Sequence, residues 1–223
     1  MATINGTTGD GYAQSEIASS WASARNHSGS VANNSNERDA FAILCFIEEG
    51  KTGNNFGIRR VFMYFDTSGI SVAPSAATLK VYGHSQNSGD IIAVKHEAAD
   101  PIVAAGFNDL AGASTALGNS DGSGTGTLAG VSGFTYSAEI ATWSTTGYND
   151  IALNSTALSD MASLDDFKIC LMNYDSDYLD VIGAGANGLY NAEGISASKQ
   201  PYIDYTAGTA AAADNATFFG SNF

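Results

Sequence analysis

Short segments in which apolar and polar residues alternate recur along most of the chain, and this period of two predicts β-strands. The predicted strands are residues 40–48, 58–66, 78–85, 91–97, 133–140, 149–154, 167–174 and 201–206, with a further short strand near Tyr12. Clusters of Asn, Gly, Ser and Pro separate the strands. One cluster, Gln86-Asn-Ser-Gly89, predicts a hairpin turn between the third and fourth strands.

Two strands indicate how the predicted sheets are buried. Residues 61–66 are apolar on both faces, which predicts a central strand covered from both sides. Residues 78–84 instead alternate, with Leu79 and Val81 on one face and Lys80 and Tyr82 on the other. A sheet with one covered and one hydrated face is typical of an antiparallel sandwich.

Helical patterns are few and short. One helical turn is predicted at residues 107–111, after Asp100-Pro101, and another at 156–164, with Ser155 or Thr156 as its cap. The absence of a long amphipathic pattern excludes α/β folds with crossover helices. The predicted fold is therefore all-β, an antiparallel β-sandwich of jelly-roll type with one or two short helical turns.

The chain divides into three predicted parts. Residues 1–35 form an N-terminal arm or first strand, residues 36–206 form the sandwich, and residues 207–223 form an aromatic tail. The tail contains Phe218, Phe219 and Phe223, and large apolar side chains left in water favour association. We therefore predict that these three residues form an assembly interface with a neighbouring subunit.

Charge limits the partners that the chain would bind. Only 14% of its 223 residues are charged, and 23 acidic against 9 basic residues give a net charge of −14. Arg59-Arg60 is the only adjacent basic pair, which disfavours binding to nucleic acid or to an anionic membrane. The first ten residues lack the basic and apolar regions of a secretory signal, so synthesis in the cytoplasm is expected.

Both cysteines lie within apolar runs. Cys45 falls in residues 41–47 and Cys170 in residues 167–172, which predicts two free, buried thiols. A disulfide between neighbouring core strands is the alternative. Because no Cys-x-x-Cys spacing or nearby histidine is present, metal binding by these cysteines is not predicted.

No motif indicates a catalytic centre. The three histidines, His27, His84 and His96, lack a nucleophile-elbow signature, and the acidic pairs Glu48-Glu49 and Asp165-Asp166 fit solvated turns. We therefore predict that the chain is not an enzyme and has no catalytic residues.

Residues 173–180 contain the most suggestive polar run. Asp175, Asp177 and Asp180 place oxygen ligands at short intervals, which predicts a structural Ca²⁺ site; no other cofactor is predicted. The alternative is a polar loop that leaves the preceding strand.

Aromatic residues in polar surroundings suggest sugar binding. Trp21 and Trp143 have polar flanks, and Tyr174 and Tyr178 lie close together in sequence, so these four residues are the predicted glycan contacts. The alternative for each tryptophan is packing over the edge of a sandwich.

Several segments together resemble one known family. Residues 60–66 and 75–82 resemble the core of disaggregatase-related (DNRLRE-type) domains, which are carbohydrate-binding-like β-sandwiches. Later segments are similar in the same order: residues 148–154, 156–158, 167–171 and 200–206. The resemblance covers approximately residues 58–206.

This resemblance implies a non-enzymatic sandwich of the kind found in structural proteins of tailed bacteriophages. Together with the low charge and the aromatic tail, it predicts a virion structural protein, such as a capsid decoration protein, head fibre or tail accessory. Such a protein would form homo-oligomers, bind other virion proteins and display an acidic sandwich. The alternative is an extracellular carbohydrate-binding module that contacts surface glycans through exposed aromatic residues.

Overall fold

Antiparallel β-strands account for most of the regular structure. The computed structural model describes residues 1–7, 9–15, 18–33, 40–50, 53–112, 126–190 and 197–210. In these ranges the strands are β1 (Ala2–Asn5), β2 (Gly11–Gln14), β3 (Val31–Asn33), β4 (Ala40–Gly50), β5 (Gly53–Asp66), β6 (Ala76–Asn87), β7 (Ile91–Lys95), β8 (Tyr148–Ala152), β9 (Asp166–Asn173), β10 (Gly185–Tyr190) and β11 (Tyr202–Thr206).

The helices of the described residues are all short. Helix α1 (Trp21–Arg25) has one turn, and helix α2 (Ser155–Ser163) has about two. The 3₁₀ helices are Ala104–Asn108 and Ala197–Lys199, and Tyr174–Tyr178 forms a single π-helical turn. No helix in the described ranges is long and apolar enough to cross a membrane.

Strand β6 belongs to two sheets. Its first part pairs with β8 on one side and β11 on the other, and β1 extends this group, which we call sheet 1. Its last part pairs with β10, and from there sheet 2 continues through β4, β5, β2 and β3, with β9 beside β5 and β7 beside β9. A bulge between Gly188 and Leu189 of β10 marks the place where β6 changes sheets.

The first hydrophobic core lies between the two sheets. Leu79 of β6, Ile151 of β8 and Ile203 of β11 point into it from sheet 1, and each is at most 1% exposed. Val61, Met63 and Phe65 of β5 meet them from sheet 2. Interdigitating apolar faces from two antiparallel sheets define a β-sandwich.

A second core covers the opposite face of sheet 2. Phe62 and Tyr64 point to this side, where Trp21 of α1, Phe107 and Leu128 cover them. Strand β5 therefore has a core on each face, which explains why residues 61–66 are apolar on both. This observation confirms the prediction of a central covered strand.

The structure confirms the predicted all-β antiparallel sandwich and most of its strands. The predicted strand 133–140 is wrong, because these residues make only isolated bridges to β7, at Thr135 and Ile140. The predicted hairpin after β6 is also wrong. Ser88 does form a turn with a positive φ of 50°, but β7 then pairs with β9 instead of β6.

Strand β10 and helix α1 were not predicted, and helix α2 was predicted with slightly different bounds. Strand β10 has the sequence Gly-Ala-Asn-Gly-Leu-Tyr, whose first four residues are of types that are depleted in strands. Helix α1 is too short to show a helical period, although Ser20 caps it by accepting a hydrogen bond from the Ser23 amide. Helix α2 begins one residue earlier than predicted, and its cap is Asn154, not Ser155 or Thr156.

The predicted N-terminal part contributes strands to both sheets. Strand β1 forms an edge of sheet 1 by pairing with β11, while β2 and β3 extend sheet 2 beyond β5. Phe218, Phe219 and Phe223 of the predicted tail lie outside the described residues.

Candidate functional site

A buried ion pair lies in the second core. Arg60 of β5 and Asp177 of the π-helical turn are both completely buried, and two hydrogen bonds of 2.6 and 2.8 Å join them. The Arg60 guanidinium also lies 4.1 Å above the Phe107 ring and donates to the Phe107 carbonyl oxygen at 2.8 Å. Bidentate geometry and additional acceptors are what a buried guanidinium requires.

A second arginine extends this pair. Arg25, in the last turn of α1, donates through Nε to the Asp177 carbonyl oxygen at 3.1 Å. Its Nη1 lies 2.9 Å from Asp180 Oδ1, which also accepts a 2.9 Å hydrogen bond from Trp21 Nε1. We call Arg25, Arg60, Asp177 and Asp180 the polar network. It joins α1, β5 and the turn after β9.

The pKa shifts of the two arginines indicate that the polar network stabilises the fold. Burial lowers the pKa of Arg25, and the charges of Asp177 and Asp180 offset part of that effect. For Arg60, burial also acts to lower the pKa, but the charge and hydrogen bonds of Asp177 outweigh it and the pKa is raised. Both arginines therefore remain cations whose donors are occupied by protein oxygens.

The neighbouring cysteines are inert. Cys45 and Cys170 are both free and buried, which confirms the predicted pair of buried thiols. Burial raises the pKa of each, so neither is a thiolate at neutral pH. Because the thiolate is the nucleophile, neither cysteine is activated for covalent chemistry.

Two of the three carboxylates predicted to bind calcium belong to the polar network. Asp177 binds Arg60, Asp180 binds Arg25, and Asp175 is exposed. Within the described ranges, no three His, Cys, Asp or Glu side chains are grouped so as to hold a metal ion. The Ca²⁺ site stays a prediction, and ion binding there would require displacement of an arginine.

The four predicted glycan contacts do not share one surface. Trp21, Tyr174 and Tyr178 belong to the second core or pack against it, and Trp143 belongs to the first. Trp21, Trp143 and Tyr178 are each at most 8% exposed. Their burial leaves little ring face for stacking on a sugar. Trp143 does line a surface depression beside Tyr148.

Of the three histidines, His96 has the most unusual environment. Its ring is 2% exposed and makes edge contacts with Phe62 and Tyr64, at centroid distances of 5.0 and 5.1 Å. Burial lowers its pKa to about 3. His96 lines a cleft of about 340 Å³ at the end of β7, beside Lys95 and Lys168. Those lysines are paired with Asp160 and Asp166, so the cleft presents no unpaired lysine.

The outer face of sheet 1 carries three half-buried tyrosines. The ring of Tyr148 lies 5.2 Å from that of Tyr82 and 5.1 Å from that of Tyr202, both in edge-to-face geometry. They come from β8, β6 and β11, and strand pairing aligns them on the face opposite the first core. We call Tyr82, Tyr148, Tyr202, Lys80 and Asp150 the tyrosine face.

An ion pair continues the tyrosine face. Lys80 and Asp150 lie opposite each other on β6 and β8, and their side chains form a 2.6 Å contact. The hydrogen bond to Asp150 raises the pKa of Lys80. Asp150 is among the residues that line two shallow depressions, of about 200 and 450 Å³. The face therefore combines aromatic rings, charged groups and two concave areas.

Only part of the tyrosine face could be predicted from the sequence. Alternation along residues 78–84 correctly placed Lys80 and Tyr82 on the hydrated side of a strand. The contribution of Tyr148 and Tyr202 depends on which strands become neighbours and in which register, and no local pattern encodes that pairing.

Neither a family model nor a curated protein sequence matches this chain. The resemblance to disaggregatase-related domains therefore stays a prediction.

Proposed function

We propose that the chain is a non-enzymatic structural protein of a virion, such as a capsid decoration protein, head fibre or tail accessory. In this proposal it forms a homo-oligomer and binds other virion proteins through its terminal segments. It is made in the host cytoplasm and becomes part of the particle, with neither nucleic acid nor membrane as partner.

The observation that carries the proposal is the pairing of β1 with β11. Ala2 lies opposite Tyr205, and Asn5 lies opposite Tyr202. Thr3 Oγ1 also donates to Asp204 Oδ1 at 2.8 Å. The N-terminal strand and the residues that lead towards the tail therefore leave the sandwich at the same edge, so one partner surface can engage both segments.

Strand β1 itself suits an assembly role. Among the described strands it pairs with β11 alone, so its other edge presents backbone donors and acceptors. Such an edge is a template for pairing with another chain. We expect a neighbouring subunit or virion protein to cover it.

The buried ionisable side chains support a structural role for the chain and not a catalytic one. Arg25, Arg60 and Asp177 stabilise the packing of α1 on sheet 2, and His96 is buried as a neutral ring. Perturbed titratable groups often mark active sites, but structural ion networks also perturb them. Here the two perturbed arginines are paired with Asp177 and Asp180 inside the second core.

Site-specific crosslinking tests the proposed edge. In Ala2→Cys protein, a short bis-maleimide should link neighbouring copies through β1, because Cys45 and Cys170 are buried. Asn87→Cys, at the exposed far end of β6, is the matched control and should not link. Equal crosslinking of both variants, or of neither, would contradict assembly through this edge.

A further inference from the structure

The hydroxyl groups of two rings of the tyrosine face are already paired within the chain. Tyr148 Oη donates to the carbonyl oxygens of Ser198 and Gln200, at 3.0 and 3.3 Å. Tyr82 Oη donates to the Thr146 carbonyl oxygen at 2.6 Å. A partner that covers these two rings therefore leaves their hydroxyls satisfied. Burial of a polar group that keeps its hydrogen bond costs far less than burial of an unpaired one, so the face can be covered by an apolar partner.

A depression beside Tyr148 offers space for an aromatic side chain. Its volume is about 450 Å³, within the roughly 300–1,000 Å³ of sites that hold small organic groups. Its lining includes Ile140, Trp143 and Tyr148. The indole of Trp143 is held in place, since its Nε1 donates to the Gly188 carbonyl oxygen at 3.2 Å. A ring in this depression would meet aromatic neighbours, and aromatic pairs prefer offset-stacked or edge-to-face contacts.

The chain itself contains a segment that suits this face. Residues 211–223, which lie outside the described part of the chain, include Phe218, Phe219 and Phe223 and a single charged side chain, that of Asp214. Phenylalanine side chains bring no polar group that would need a partner when buried. Because a net charge of −14 makes two copies repel each other, a nearly uncharged aromatic segment is well suited to approach a second copy.

The path of the chain after β11 directs this segment away from its own tyrosine face. Tyr202 begins β11 and Thr206 ends it, where the Thr206 carbonyl oxygen accepts from the Ser75 amide at 2.9 Å. Gly208 then lies so close to Ala73 that a Cβ at Gly208 would be 2.0 Å from the Ala73 carbonyl oxygen. The chain therefore leaves sheet 1 at the end of β11 opposite to Tyr202. The segment 211–223 spans at most roughly 45 Å when extended, which is enough to reach a neighbouring copy.

We propose that the tyrosine face is the docking site for the C-terminal segment of a neighbouring copy, with one phenylalanine of residues 218–223 in the depression beside Tyr148. The inference rests on the proposed assembly through the termini and names the surface that receives one of them. The segment and the face that receives it are different parts of the chain, so the contact is heterologous. Contacts of this kind close into a ring when the rotation between successive copies permits it.

Photo-crosslinking of the full chain tests the docking site directly. In Phe219→Cys protein, a benzophenone maleimide should label position 219 alone, because Cys45 and Cys170 are buried. Irradiation should give covalently linked pairs of chains, and peptide mapping by mass spectrometry should place the link within residues 140–150 of the second chain. A link within one chain, a link to another region of the second chain, or no link would each overturn the proposal.

Two variants of the face complement the crosslinking. Thr142→Arg places a long side chain at the exposed edge of the larger depression, and Tyr148→Ser removes the ring beside it. Both variants should weaken association at least tenfold, as measured by light scattering over a range of protein concentrations. Asn87→Arg, at the exposed far end of β6, adds the same charge away from the depression and is the matched control, which should associate normally.

The variants also separate this inference from the proposed function. Normal association of Thr142→Arg would overturn the docking site even if Tyr148→Ser fails to fold, because Thr142 is exposed. If removal of residues 214–223 still gave a monomer in that case, assembly through the C-terminal segment would stand, and its docking site would lie elsewhere. An unmodified chain that is monomeric would overturn both the assembly and the docking site.

Discussion

Arg60 and Asp177 are 117 positions apart in the sequence, yet they form a bidentate ion pair in which both side chains are fully buried. The pair connects the central strand β5 to the turn after β9, and Arg25 connects the same turn to α1. The second core is therefore built around charged groups as well as apolar ones.

Removal of Asp177 should severely destabilise the fold. Asp177→Ala leaves Arg60 and Arg25 buried without their shared counter-ion, which typically costs about 3–5 kcal/mol. Urea denaturation followed by circular dichroism measures the change. The control is Asp175→Ala, an exposed carboxylate two residues away, whose effect should stay within roughly 0.5 kcal/mol. Equal losses in the two variants would show that the buried pair contributes little.

Acid should weaken the protein through His96. Burial lowers the pKa of His96 in the folded protein to about 3, whereas the pKa of an unfolded histidine is near 6.5. Between these two pH values the unfolded state therefore binds more protons than the folded state. The contribution of His96 to the free energy of unfolding is therefore fully present above pH 6.5. It falls by about 1.4 kcal/mol per pH unit as the pH drops towards 3.

The His96→Gln variant isolates this contribution. Urea midpoints measured from pH 7 to 4 should fall less steeply in the variant than in the unmodified protein. Because carboxylates titrate in both proteins, only the difference between the two slopes reports His96. Parallel curves would mean that His96 is accessible to protons in the folded state.

The two cysteines should be unreactive until the protein unfolds. Cys45 and Cys170 are buried, and burial raises the pKa of both thiols. A colorimetric thiol reagent at pH 8 should label neither cysteine in the native protein and both cysteines in urea. Rapid native labelling of either residue would contradict the burial of the second core.

The N-terminal cap of α2 provides a test at single-residue resolution. Asn154 Oδ1 accepts from the Ala157 amide at 3.1 Å, and its Nδ2 donates to the Thr135 carbonyl oxygen at 2.7 Å. Asn154→Ala should cost about 1–2 kcal/mol in urea unfolding. Ser155→Ala, one residue later and inside the helix, should have a much smaller effect. A larger loss of stability in Ser155→Ala than in Asn154→Ala would identify Ser155 as the cap.

Local pattern predicted the strands that have a clear apolar period, and it failed where tertiary context decides. Residues 61–66 are apolar on both faces, and β5 is covered on both. Strand β10 begins Gly-Ala-Asn-Gly, and only its pairing with β4 and β6 makes it a strand. Residues 133–140 have a strand-like period but run beside β7 with isolated bridges.

In the candidate sites, too, local pattern predicted some features and tertiary contacts determined the others. The Arg59-Arg60 pair appears in the sequence as an ordinary basic dipeptide, but only Arg60 is buried, because alternate residues of β5 point to opposite faces. Its partner Asp177 lies in the turn after β9, where the sequence shows a polar run but nothing that indicates pairing with Arg60. Tyr82 was placed correctly on a hydrated face, but the neighbouring Tyr148 and Tyr202 are determined by strand register.

The most direct test of assembly through the termini is the solution mass of the protein with and without residues 214–223. Light scattering of the full chain should give a defined oligomer that falls to a monomer on truncation. A full-length control with Ala211→Ser and Ala212→Ser keeps the three phenylalanines and should retain the oligomer. A full chain that is already monomeric, or a truncated chain that keeps the oligomer mass, would contradict the proposed assembly.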